Sequence, residues 1–117
     1  MLKRLSGTFF LLAASISLLG RGPVKLQNIR YYSYAGYTRV VLDLSASIKI
    51  VEKIIKGGDG SRLFFDLKNC RFAADYPFEK KNEIKILAGN LQQIRIGKWN
   101  AETIRVVFDF DTIGKYN

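Results

Sequence analysis

One short pattern occurs twice in this chain, and it restricts the folds open to it. Leu26-Gln27-Asn28-Ile29-Arg30 returns as Leu91-Gln92-Gln93-Ile94-Arg95. Nine residues after Arg30 stands Arg39-Val40-Val41-Leu42-Asp43-Leu44, and ten residues after Arg95 stands Arg105-Val106-Val107-Phe108-Asp109-Phe110. A third version of the second element, Arg62-Leu63-Phe64-Phe65-Asp66-Leu67, lies between the two copies. Self-similarity at matched spacing marks a structure assembled from related units. These elements are rich in β-branched and aromatic residues and alternate with a period of two, which is the signature of strands. Residues four apart on a strand share a face yet lie about 13 Å apart, at ~3.3 Å per residue. Arg39 and Asp43 therefore cannot reach each other, and are expected to pair with Asp and Arg on neighbouring strands. The opposite face, Val40, Leu42 and Leu44 or Val106, Phe108 and Phe110, is expected to line a core.

The rest of the chain reads the same way. Strands are expected over Val24–Tyr32, Tyr37–Leu44, Ser47–Ile55, Arg62–Leu67, Glu83–Leu87, Asn90–Lys98 and Thr103–Phe110. Gly57-Gly58-Asp59-Gly60 supplies a hairpin turn, and Arg71–Asn82, with Pro77, reads as a longer loop. No window holds a 3.6-residue period over the length of a stable helix. Seven or eight short strands at this spacing imply an all-β fold, a small sandwich of two related sheets with each half of the repeat supplying one sheet.

The N-terminus follows a different plan. A basic start, Met1–Arg4, precedes an uncharged apolar run from Leu5 to Gly20. That is the layout of a secretory signal, and about 16 residues falls short of the ~20 that span a bilayer as a helix. Residues 1–22 are read as a signal segment, cleaved or retained as an anchor, and 23–117 as the β domain. The last residues, Gly114-Lys115-Tyr116-Asn117, correspond by the repeat to the strand that begins near Ser47. The domain is therefore expected either to lack its last residues or to be the front of a longer protein.

Two absences bear on chemistry. The chain has no histidine and one cysteine, Cys70. Zinc sites draw on several His or Cys ligands, and Ser-His-Asp or Cys-His catalysis needs the missing base. No catalytic residue, metal or cofactor is expected, and Cys70 reads as a small buried apolar residue. The net charge of +9, to which Lys3, Arg4 and Arg21 contribute, favours anionic partners. Export argues against nucleic acid among them.

Asn28-Ile29-Arg30, Tyr37 through Leu44, Arg62 through Leu67, Ile94-Arg95-Ile96-Gly97 and Ile104 through Asp109 together resemble the AMIN domain. That family precedes the catalytic part of periplasmic N-acetylmuramoyl-L-alanine amidases and occurs near the N-terminus of type IV pilus secretins. The resemblance covers about Val24 to the C-terminus. It implies a β-sandwich and a non-catalytic role: binding peptidoglycan and localising an attached protein in the periplasm, with envelope or division proteins as further partners. A zinc amidase would hold its metal in a separate segment. The alternative implied is a protein-interaction module of a secretin assembly. Arginine forks accept carboxylates such as those of stem peptides, and aromatic rings stack on sugars. The expected binding surface is Arg30, Tyr37, Arg39, Arg95, Trp99 and Arg105, gathered on one exposed face. Arg62, Asp43, Asp66 and Asp109 are read first as register-fixing ion pairs.

Overall fold

Spacing within the repeated pattern explains how its strands are built. Leu26 and Ile29, like Leu91 and Ile94, are three residues apart, which on a plain strand would send them to opposite faces. Both pairs are nevertheless buried. Each strand inserts one extra residue at the same place: the pairing jumps from Leu26 to Asn28 in the first copy and from Leu91 to Gln93 in the second. Gln27 and Gln92 are therefore the bulge residues, and each bulge returns both apolar side chains to the core.

A computed structural model describes residues 2–4, 9–16, 22–57, 60–88 and 90–111. Its strands are β1 (Leu2–Arg4), β2 (Phe9–Ile16), β3 (Val24–Tyr34), β4 (Tyr37–Leu44), β5 (Ile50–Gly57), β6 (Gly60–Lys68), β7 (Cys70–Phe72), β8 (Glu83–Ala88), β9 (Leu91–Asn100) and β10 (Thr103–Phe110). One helical turn, α1 (Phe78–Lys81), lies between β7 and β8. They form two five-stranded sheets, ordered β1-β2-β4-β3-β7 and β5-β6-β10-β9-β8. The all-β sandwich expected from the sequence is the fold.

The halves of the repeat do not each keep to one sheet, as the sequence suggested. β3 and β4 belong to the first sheet, but the hairpin that follows them, β5 and β6, crosses to the second. There β6 lies antiparallel on β10, Asp66 opposite Arg105 and Arg62 opposite Asp109. Alternation along a strand fixes which residues face inward but says nothing about which strand lies alongside. At the head of β6, Gly60 has φ +146°, and a Cβ there would lie 2.8 Å from the Phe110 carbonyl oxygen, so only glycine fits. Asn69, at φ 51°, turns the chain out of β6 and back to the first sheet.

Between the sheets lies one core. The first sheet contributes Leu26, Ile29, Val40, Leu42 and Leu44, and the second Leu63, Phe65, Leu67, Ile94, Val106 and Phe108. Phe65 and Phe108 meet edge to face, their centroids 5.2 Å apart. The face of β4 and β10 expected to be apolar is the buried one.

Residues 71–82 depart from the expected loop. Cys70–Phe72 adds to the first sheet parallel to β3, and α1 follows. Tyr76 is buried among Phe72 and Phe78, with its hydroxyl donating to the Lys81 carbonyl at 2.8 Å. A buried tyrosine with its hydroxyl satisfied makes this segment a plug for one end of the core rather than a free connection. Cys70 is buried as expected, and burial pushes its thiol up to about 11, which leaves it unreactive.

The expected signal segment lies partly outside the described residues, as do residues 112–117 with their expected continuation. Where the backbone of the N-terminal segment is described it is extended. β2 runs parallel to β4, from Phe9 opposite Tyr37 to Ile16 opposite Leu44. Among the described residues no helix is long and apolar enough to cross a membrane.

Candidate functional site

Because both sheets turn their apolar faces inward, their polar faces point away from each other. The six residues expected on one surface are consequently divided. Arg30, Tyr37 and Arg39 lie on the outer face of the first sheet, and Arg95, Trp99 and Arg105 on that of the second. Each trio is brought together, and the two trios are not.

On the first sheet, β3 and β4 form a ladder running toward their shared turn. Arg30 grips Asp43 with both Nε and Nη2 at 2.8 Å, and its Nη1 reaches the Tyr32 hydroxyl at 3.3 Å. Tyr32 stands opposite Arg39. Nearest the turn, Tyr34 and Tyr37 stack with centroids 4.7 Å apart. Tyr32 and Tyr34 had a sequence signal, since they share the parity of Arg30 along β3.

The second sheet carries a denser network. Asp109 accepts from Arg95 Nε at 2.7 Å and Nη2 at 2.9 Å, from Gln93 at 2.9 Å, and pairs with Arg62 at 3.3 Å. Asp66 takes a bidentate contact from Arg105, at 2.7 and 3.0 Å. That pair is the most enclosed among the described residues, its side chains 16% and 5% exposed. The hydrogen bonds from Arg105 hold the Asp66 carboxyl below the usual carboxylate range. At Asp109 burial pushes upward, but the hydrogen bonds from Arg95 and Gln93 and the charges of Arg95 and Arg62 outweigh it, and its carboxyl also lies low. The ion pairs expected for Asp43, Asp66, Asp109 and Arg62 are all formed.

Two features of this second face suit a ligand. Trp99 is 59% exposed, so it is a surface ring rather than a cap on the core, and the Arg105 guanidinium sits 3.6 Å from its centroid. The guanidinium also lies 5.0 Å from the centroid of the Phe64 ring. The indole is thus braced from below and open above. Along the same face, Ile55, Arg62, Gln93 and Arg95 line a shallow recess of about 480 Å³. Two guanidiniums share one carboxylate there, which leaves the recess net positive. Arg62 forms its expected ion pair, and its single contact among the described residues and its exposure leave most of its donors available. Its distance from Arg95 in sequence conceals the pairing, which only the β6–β10–β9 order creates.

No group of three or more potential metal ligands occurs among the described residues. A family model for the AMIN domain matches residues 28–117. The chain belongs to the AMIN domain family. The match begins at Asn28, inside β3, and takes in both outer faces. AMIN domains are non-catalytic localisation modules associated with peptidoglycan in exported envelope proteins. Neither the search of curated proteins nor that of solved structures returned a match.

Proposed function

We propose that this AMIN domain holds an exported envelope protein, an amidase in the first instance, against peptidoglycan through the outer face of its second sheet. Family membership over residues 28–117 carries the reading. The face adds chemistry that fits it. Trp99 offers an apolar plane for a sugar ring, and its backing by Arg105 limits the rotamer freedom lost on contact. The net-positive recess at Arg62 and Arg95, one ion pair further along the face, can receive a stem-peptide carboxylate by charge-assisted hydrogen bonds. Arg105 and Arg95 are already committed to aspartates, so their role is to hold the platform and supply field. The basic start and apolar run of residues 1–20 support export to the periplasm; removal of the segment would bare the β4 edge, and a retained segment covers it as β2.

Cosedimentation with purified, protein-free sacculi tests this. Trp99→Ala and Arg62→Ala should each weaken binding by about tenfold, the loss typical of an interface anchor. Tyr37→Ala, on the opposite face, should bind nearly as the parent chain. Undiminished binding by Trp99→Ala and Arg62→Ala would remove this face from the account, and no binding by the parent chain would remove the wall.

A further inference from the structure

The two sheets share a plan, but one lacks two charges that the other has. By the repeat, β4 corresponds to β10, with Arg39 in the place of Arg105 and Asp43 in that of Asp109. β3 corresponds to β9, with Arg30 in the place of Arg95. On the second sheet β10 lies between β9 and β6. β6 runs antiparallel and brings Asp66 to Arg105 and Arg62 to Asp109. On the first sheet β3 does its part, since Arg30 holds Asp43. The place that β6 takes on β10 is held on β4 by β2, which runs parallel and sets Leu11 opposite Arg39 and Ser15 opposite Asp43. Neither residue carries a charge. Arg39 is exposed and makes no ion pair among the described residues, and Asp43 lacks the second arginine that its counterpart has.

We propose that the outer edge of β4 is a docking site for an extended strand of a partner protein bearing Arg-x-x-x-Asp with apolar residues between. The strand enters antiparallel, as β6 does on β10, with its aspartate on Arg39 and its arginine on Asp43. Its middle residue then lies over Val41, as Phe64 lies opposite Val107. Backbone hydrogen bonds to the edge give affinity in this mode, and the side chains give selectivity. Here the two charges also fix direction and register, because a slip of one residue or a reversal sets like charges together or strands both. β2 covers the same edge in the slightly weaker parallel geometry. It is therefore an exchangeable occupant. This use of the β4 edge is independent of the wall surface on the other sheet.

The chain's own sequence supplies the probe, a fluorescent peptide Gly-Ser-Arg-Leu-Phe-Phe-Asp-Leu-Lys copied from residues 60–68. Fluorescence anisotropy with the full chain should show saturable binding. Leu12→Pro, which removes a ladder N–H from β2, should tighten it. Arg39→Asp should weaken it by at least about tenfold by placing like charges together. A peptide with arginine in place of its aspartate should restore binding to that variant. A merely sticky edge would not show this exchange of charges. Three results overturn the proposal: no saturable binding by either the full chain or Leu12→Pro, binding indifferent to Arg39→Asp, or self-association of the chain that excludes the peptide, which would make a second copy the occupant.

Discussion

β4 and β10 are near-copies in sequence and occupy equivalent central places in their sheets, yet they stand in different surroundings. β10 is enclosed by two antiparallel neighbours, and its outward arginine and aspartate are both answered. β4 has one antiparallel neighbour and one parallel one, and its Arg39 is unanswered among the described residues. Thr38 adds a smaller contrast. It takes the place of Ile104, and its buried hydroxyl has no hydrogen-bond partner among the described residues. The same six-residue motif thus closes a sheet in one setting and leaves a place in the other. What differs is the neighbouring strand, since the motif's core-facing residues are equally buried in both.

The widest gap between the copies should appear on removing the equivalent arginines. Arg105→Ala strands the enclosed Asp66 carboxylate, and should lower unfolding free energy by on the order of 3 kcal/mol. Arg39→Ala removes an exposed side chain with no ion pair among the described residues and should cost less than about 0.5 kcal/mol. Urea unfolding of the two variants measures both, and equal losses would break the comparison.

Acid should act through the same network, with a smaller effect. Asp66 and Asp109 both titrate below their ordinary value of 3.8. A carboxyl depressed on folding adds stability that is complete above its unfolded value and disappears as pH falls through the folded one. Urea midpoints should therefore hold from neutrality down to about pH 4 and fall below it. Asp66→Asn should start less stable and show a shallower fall across that acid range. A fall as steep as that of the parent chain would detach Arg105–Asp66 from the acid response.

Much of the fold could be read from the residues because it rests on local alternation. Tyr37–Leu44 and Thr103–Phe110 are strands over the expected residues, and Val40, Leu42, Val106 and Phe108 are inside. The parts that could not be read are relations between strands. Nothing in Arg62–Leu67 states that it will join the second sheet, so the partners of Arg105 and Asp109 stay hidden until β6 is placed. The spacing of Leu26 and Ile29 did hold the bulge, but only alongside the burial of both residues. Gathering Arg30 and Tyr37 with Arg95 and Trp99 on one surface failed for a simpler reason: a sandwich turns the outer faces of its sheets in opposite directions. The Arg71–Asn82 segment misled because Pro77 and its charges mask Tyr76, which needs a partner for its hydroxyl and finds it at Lys81.

Native-state hydrogen exchange, resolved by residue, tests the central contrast most directly. Amides of β10 bonded to β6 should exchange only with global unfolding, while amides of β4 bonded to β2 should exchange at least about a hundredfold faster through local release of that strand. Equal protection along both edges would contradict the account, because it would make β2 as fixed a neighbour of β4 as β6 is of β10.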